Sequence, residues 1–321
     1  MRVRILFAGT PEPAVPSLRA LSASGHEIAA VLTRPDAPVG RRRTLTPSPV
    51  KAAARELGLP VLEAARLRGE ILAEIEALRV DAAAVVAYGA LAGPRALSAA
   101  RLGWFNLHFS LLPDYRGAAP VQRALIDGRT VSGLTVFRLD EGMDTGDIVA
   151  QRQLPLPPLP AGDVLADYAR QGAPLLVEAL DAVAAGTTRY APQPSAGTPA
   201  PKIEPAEARL DFSRPAARLA ALARGTSPAP GPWALLDGQR TKVRGVAELP
   251  DAPGGPDLEP GELIDVDGTV CAGTGAGILT LESIQPFGKP MMSAQAFLRG
   301  RPGARFDAVP ADVPEDRTAH E

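Results

Sequence analysis

Apolar and polar positions fall in blocks along the first half of the chain. Residues 3–8 form a run that is apolar apart from Arg4 and ends at Gly9, the pattern of a buried strand. Residues 28–32 repeat it, and residues 14–24, closed by Gly25, fit a helix between the two. A long irregular loop is expected over residues 33–47. Ser48-Pro49 then starts a helix, with Ser as N-cap and Pro in the first turn, and Gly58 closes it. Residues 60–62 fit a short strand and residues 70–78 a helix. Residues 82–87 are wholly apolar and precede Tyr88-Gly89, as expected of a strand covered on both faces. Residues 104–108 predict a further strand, residues 132–139 another, and residues 162–185 a long helix stopped by Gly186. Strands alternating with helices predict an α/β fold with a parallel, doubly wound sheet, whose ligands bind beyond the carboxyl ends of the strands.

The pattern changes after that. Residues 191–201 carry Pro192, Pro194, Pro199 and Pro201 and read as an extended linker. A short helix capped by Ser213 and ending at Gly225 follows. Short β-like runs at 233–236, 241–246, 261–266, 269–272 and 277–284, separated by Gly and Pro, predict a small barrel. The polar stretch 309–321 is expected to be a disordered tail. The domains are therefore set at 1–186, a linker at 187–203, and 204–308.

Composition narrows the classes. A chain of 321 residues suits two domains, and a formal net charge of −2 means that any nucleic-acid site must come from uneven charge. Cys271 is the only cysteine, so a disulfide within the chain and a four-thiolate zinc site are both excluded, and a reducing cytoplasm fits. The first apolar run is too short for a signal peptide, and no stretch of 18 apolar residues predicts a membrane span.

Gly273-x-Gly275-x-Gly277 resembles a dinucleotide fingerprint but is followed by β-like residues, so a hairpin turn is the better reading. Only Gly9 follows the first strand, which disfavours a nicotinamide cofactor. Of the three histidines, His320 is in the tail and His26 in a turn expected at the surface. His108 ends a predicted inner strand. Asn106, two residues earlier, points to the same side. An amide donor beside an imidazole suits acyl transfer: one stabilises a carbonyl oxygen as it gains charge, the other moves protons. The acidic stretch Asp140-Glu141-Gly142-Met143-Asp144-Thr145-Gly146-Asp147 reads as a solvated turn, as a carboxylate that orients His108, or, with less to favour it, as a metal site. Arg41-Arg42-Arg43 sits within the long loop, and a basic tip there suits phosphates.

Taken together, the chain resembles the methionyl-tRNA formyltransferases. The resemblance rests on Phe7-Ala8-Gly9-Thr10-Pro11, Leu45-Thr46-Pro47-Ser48-Pro49-Val50-Lys51, Val86-Ala87-Tyr88-Gly89, Asn106 through Pro113, Tyr115-Arg116-Gly117-Ala118-Ala119-Pro120 and Asp140 through Asp147. In the later half it rests on Pro201-Lys202-Ile203, Ala208-Arg209-Leu210-Asp211-Phe212, Gln285-Pro286 and Met292-Ser293-Ala294-Gln295. It implies a Rossmann-like formyltransferase domain followed by an oligonucleotide-binding-type barrel. It also implies formyl transfer from 10-formyltetrahydrofolate to the α-amino group of methionyl-initiator tRNA, for translation initiation in bacteria or organelles, with no metal. Asn106, His108 and Asp144 are implied as the catalytic trio. Ser110, Leu111, Leu112, Pro113, Tyr88, Gly89, Asp140 and Gly142 are implied at the folate site, and Arg41, Arg42, Arg43, Lys202 and Arg209 at tRNA. A monomer is expected. The chain departs from the family at Phe109, at Asp114 in place of a basic residue, and at Ser132-Gly133-Leu134-Thr135. The rivals are a formyltransferase acting on a small amine, a non-catalytic RNA-binding protein and a nicotinamide oxidoreductase.

Between Lys202 and Arg244, eight basic side chains face four acidic ones, while residues 245–308 hold four basic and nine acidic. A basic face backed by an acidic one is expected.

Overall fold

The computed structural model describes residues 2–39, 44–90, 92–249 and 257–307. The chain divides into two compact units. The first comprises residues up to Val121 together with Val131–Pro157 and Asp163–Pro201; the second takes in Gln122–Thr130, Pro158–Gly162 and the chain from Lys202.

As far as α6 the elements run in the order β1 (Arg4–Gly9), α1 (Val15–Ser22), β2 (Glu27–Thr33), β3 (Ala37–Val39), β4 (Thr44–Thr46), α2 (Pro49–Glu56), β5 (Val61–Glu63), α3 (Glu70–Ala77), β6 (Ala82–Val86), α4 (Pro94–Leu97), β7 (Gly103–His108), α5 (Pro120–Ile126), β8 (Val131–Arg138), β9 (Ile148–Pro155) and α6 (Ala161–Ala185), all in the first unit except most of α5 and the first residues of α6. Seven strands form one sheet in the order β5-β2-β1-β6-β7-β8-β9. The pairs from β5 through β7 are parallel, and β7–β8 and β8–β9 are antiparallel. The expected parallel sheet is thus mostly, not wholly, parallel. The hairpin of β8 and β9 extends it on one side, and β9 was not foreseen because its run Ile-Val-Ala-Gln-Arg-Gln-Leu-Pro mixes polar residues without a clean period. The central strands are apolar because helices cover both faces: every residue of β6 is buried, and Phe7, Phe105 and Phe137 are fully buried. Each such ring contributes roughly 1.5–3 kcal/mol through the surface removed from water.

Ser48 caps α2 as expected, its hydroxyl accepting the Lys51 N–H at 3.0 Å and sharing a hydrogen bond with Thr33 at 2.7 Å. The loop expected over residues 33–47 is partly regular, since β3 and β4 pair as an antiparallel ribbon. At its base the buried Lys51 ammonium meets Asp36 at 2.6 Å and Glu63 at 2.5 Å. The ribbon's tip, with Arg41, Arg42 and Arg43, lies outside the described residues.

The residues read as a linker do not hang free. Ala191 exchanges both backbone hydrogen bonds with Ile148, and Ala200 exchanges with Arg116 and Ala119, so this segment straps the first unit. The proline-rich composition that suggested a linker also suits an extended chain pinned at its ends.

The second unit carries α7 (Ala216–Gly225), β10 (Trp233–Leu236), β11 (Gln239–Arg244), β12 (Ala247–Leu249), β13 (Leu263–Val266), β14 (Thr269–Gly273), β15 (Ile278–Leu281), β16 (Ser283–Gln285), β17 (Met292–Ser293) and α8 (Ala294–Gly300). The strands make two antiparallel sheets, β10-β11-β16-β17 and β12-β15-β14-β13. Pro215 occupies the N-cap of α7, so Ser213 is not its cap. The glycines between 273 and 277 form the turn joining β14 to β15, with Gly273 opposite Ile278, as the hairpin reading required. Phe212 and Phe306 stack at 4.8 Å in the core of this unit, which ties its first described segment to its last. Among the described residues no helix is long and apolar enough to cross a membrane. The tail, residues 309–321, lies outside the described residues.

Candidate active site

A cavity of about 530 Å³ opens in the first unit at the carboxyl ends of β6 and β7. Beyond β6 it is lined by Ala87, Tyr88, Gly89 and Ala90, at the end of β7 by Asn106, His108 and the following Phe109, and also by residues 139–144. The parallel core of the sheet delivers these two strand ends side by side, since Val85 pairs with Asn106. Asn106 and His108 both line the cavity, as their two-residue spacing predicted. The Asn106 amide makes no hydrogen bond among the described residues and remains free to donate to a ligand.

His108 is buried and held from one side. Its Nε2 lies 2.8 Å from the Tyr115 carbonyl, which only accepts, so Nε2 carries the proton. In the neutral ring Nδ1 is then a bare lone pair. Asp144 Oδ2 stands 3.7 Å from Nδ1, close enough to steady a cation but beyond hydrogen-bond length. That oxygen accepts the Gly117 N–H at 2.8 Å instead. The ring is thus hydrogen-bonded through Nε2 to Tyr115, while Asp144, expected to orient it, faces Nδ1 without a hydrogen bond. Burial pushes the His108 pKa below its usual 6.5, while the Asp144 charge and the Tyr115 hydrogen bond oppose that shift. Near neutral pH the ring is therefore a neutral base facing a carboxylate.

Three residues at the site hold left-handed backbone: Ala87 at φ 48°, Tyr115 at 59° and Asp144 at 55°. Such conformations cost of order 1–3 kcal/mol each outside glycine and persist where surrounding contacts impose them. The 139–147 loop is knitted internally, since Asp140 Oδ1 accepts from Gly142 N–H and the Thr145 hydroxyl at 3.0 and 2.8 Å. Gly146 is required there, because a Cβ would lie 1.7 Å from the Arg138 carbonyl oxygen. Among the described residues no cluster of His, Cys, Asp and Glu has metal-binding geometry.

The sequence-expected residues divide. Tyr88, Gly89, Asp140 and Gly142 line the cavity. Tyr88 also donates its buried hydroxyl to the Ala64 carbonyl, and burial pushes its pKa up to about 12. Ser110, Leu111, Leu112 and Pro113 do not line the cavity. The Ser110 hydroxyl donates to the Asp114 carbonyl, its carbonyl accepts from Thr135, and the Leu112 carbonyl accepts from Gln151. In this structure Ser110 and Leu112 are buried and Leu111 and Pro113 half-buried, in the segment that leads to Tyr115, whose carbonyl meets His108. Of the departures, Phe109 is a wall of the cavity, and the Asp114 carboxylate accepts from the Thr198 hydroxyl. Residue-by-residue reading missed the Tyr115 carbonyl and the Gly117 N–H, because backbone groups carry no side-chain signal.

In the second unit Lys202 is exposed and stands 3.8 Å from Glu204. Arg209 lies over the Trp233 ring at 5.9 Å, and Arg240 over it at 4.6 Å. Lys242 pairs directly with Trp233 across β10 and β11, and Arg240 with Leu235. Thr241 and Val243 are buried while Lys242 and Arg244 are exposed, so the basic residues of β11 share the outer face with Trp233. These three residues belong to the basic stretch 202–244, and the alternation Arg-Thr-Lys-Val-Arg is what puts them on one face.

Residues 1–180 match the family described as formyl transferase, and residues 202–302 match its C-terminal domain. A methionyl-tRNA formyltransferase of Arthrobacter sp. is 47% identical over 300 residues, 93% of this chain and 97% of that protein. The one from Leifsonia xyli subsp. xyli is 49% identical over 302 residues, 94% and 98% of the two chains. Among solved structures, HypX from Aquifex aeolicus in complex with tetrahydrofolic acid superposes with a TM-score of 0.66 at 16% identity, covering 93% of this chain and 47% of that one. An N-formyltransferase from Helicobacter canadensis, bound to folinic acid and dTDP-3-aminofucose, gives 0.65 at 16% identity, covering 89% and 100%. These two show the shared fold.

The geometry predicts the titration of His108. Besides Asp144, the carboxylates lining the cavity are Asp140 and Glu141. An NMR titration of the ring should give a midpoint below 6.5, so that neutral imidazole persists as pH falls through that value. Asp144→Asn should lower the midpoint further, since Asp144 raises it. A midpoint above 6.5, or a rise in the variant, would contradict this electrostatic description.

Proposed function

The chain belongs to the formyl transferase family, and we propose that it transfers the formyl group of 10-formyltetrahydrofolate to the α-amino group of methionyl-initiator tRNA, the step that prepares the initiator for translation. The observation that carries the chemistry is an unpartnered Asn106 amide beside a neutral, buried His108 whose bare nitrogen faces Asp144. A cavity of about 530 Å³ is within the size range of small-ligand pockets, and the apolar residues Val85, Phe109 and Leu139 along it suit a flat aromatic co-substrate.

In this reading an α-amino group, with a pKa of roughly 7.7–8.0 that an adjoining ester lowers, is largely neutral at pH 7. It attacks the formyl carbon, forming the new C–N bond. Asn106 donates to the formyl oxygen as negative charge builds there. His108 accepts the ammonium proton on Nδ1, and Asp144 steadies the imidazolium. The bond from the formyl carbon to N10 of the folate then breaks, and His108 returns the proton to that nitrogen. No metal enters these steps.

We read the two sheets of the second unit as an oligonucleotide-binding-type barrel, with the face carrying Trp233, Arg240, Lys242 and Arg244 turned to tRNA. A basic strand interleaved with an aromatic ring suits backbone contacts and stacking. The full-length likeness to methionyl-tRNA formyltransferases favours tRNA over a small amine as acceptor.

Incubation with 10-formyltetrahydrofolate and methionyl-initiator tRNA should yield formylmethionyl-tRNA. Product from an amino sugar or another small amine instead would overturn the choice of acceptor. Asn106→Ala, with folding intact, should lower kcat by about 10² or more. Near-normal turnover would remove Asn106 from the chemistry. tRNA affinity should fall steeply with salt, and Lys242→Ala should reduce the magnitude of the log–log slope by about 1. A flat salt titration would exclude this face.

A further inference from the structure

We propose that Gln193 is a positioning residue for the catalytic pair: its side-chain amide fastens the loop bearing Asp144 to the Tyr115–Gly117 turn through Arg116. The inference rests on reading His108 and Asp144 as that pair.

The two groups facing each other at the site come from distant parts of the chain. The 115–117 turn grips both, through the Tyr115 carbonyl and the Gly117 N–H. Gln193 bridges the same two segments from the strap. Its Nε2 donates to the carbonyls of Asp144 at 3.0 Å and Gly146 at 2.6 Å. Its Oε1 accepts from Arg116, at 3.3 Å from Nε and 2.9 Å from Nη2. Arg116 also donates to the strap carbonyls of Pro194 at 2.9 Å and Ser195 at 3.3 Å.

The chemistry selects a neutral amide. The position needs two donors for the loop and an acceptor for a guanidinium, which an amide presents together. A carboxylate satisfies Arg116 but turns both loop carbonyls against like partial charge, and an ammonium does the reverse. The placement is fixed on both sides of Gln193. Ala191 is paired with Ile148 of β9, and Ala200 with Arg116 and Ala119. Gly117 lets the strap lie this close, since a Cβ there, at φ 122°, would come within 2.7 Å of the Ala200 carbonyl oxygen. Gln193 itself lines no part of the cavity, so it acts on the reaction only through the groups it holds.

Gln193→Met keeps length and bulk without the hydrogen bonds. Gln193→Glu keeps the Arg116 contact, removes the donors to the loop and sets a negative charge against its carbonyls, and serves if the first variant does not fold. Each is made alone and with Asp144→Asn, and both kcat and the NMR midpoint of His108 are measured. A positioning role predicts a fall in kcat of about tenfold or more with KM for tRNA little changed, because misplaced reacting groups cost rate. It also predicts that Asp144→Asn moves the His108 midpoint less than half as far in the Gln193 variants as in the parent, because Asp144 is no longer held against the ring. An unchanged kcat, or an Asp144→Asn shift of equal size in both backgrounds, would overturn the proposal even if thermal stability fell. If the parent protein forms no formylmethionyl-tRNA, the reading of the acceptor fails, while the titration cycle still decides the role of Gln193.

Discussion

A single turn of backbone, residues 115–117, satisfies both halves of the candidate catalytic pair, and the site depends on it. The Tyr115 carbonyl accepts a hydrogen bond from His108 Nε2–H, and the Gly117 N–H donates to Asp144 Oδ2. β7 delivers the imidazole from the sheet, and the β8–β9 loop delivers the carboxylate from 36 residues further along the chain. Neither could fix the other directly, since 3.7 Å between Nδ1 and Oδ2 leaves no hydrogen bond between them. The turn sets that separation. The left-handed backbone at Tyr115 and Asp144 is part of the same constraint, because relaxing either residue would move one of the two held groups.

The arrangement explains why a buried histidine facing a carboxylate is useful. Burial alone would make the imidazole a weak base, and a directly bonded carboxylate would occupy the nitrogen that the proposed mechanism uses as proton acceptor. Holding Asp144 on a backbone N–H leaves Nδ1 accessible while its positive form, once made, meets a fixed charge without reorganisation. The sheet supplies the rest. Its parallel core places Asn106 and His108 at one carboxyl end, where both line the cavity.

Much of this was legible in the sequence where period and composition report it locally. The wholly apolar run of β6 gave a doubly covered strand, and the two-residue spacing of Asn106 and His108 placed them on one side. The glycines at 273 to 277 read correctly as a turn. What was not legible involves contacts between distant segments or backbone groups. No local signal shows that Asp144 hydrogen-bonds Gly117, that Tyr115 holds the ring by its carbonyl, or that the proline-rich segment 191–201 is strapped to Arg116. Short elements were missed for a different reason. The hairpin of β3 and β4 and the helices α4, α5 and α8 are too short for a period to emerge above their neighbours. Ser110 through Pro113, implied by resemblance at the folate site, is not among the residues lining the cavity.

The central claim is that Tyr115, not Asp144, fixes the tautomer of His108. It is tested most directly by the ¹⁵N resonances of the ring nitrogens at a pH above its titration. The account predicts a single neutral tautomer with the proton on Nε2 and a bare Nδ1. A neutral ring with its proton on Nδ1, directed at Asp144, would contradict it and restore a conventional triad.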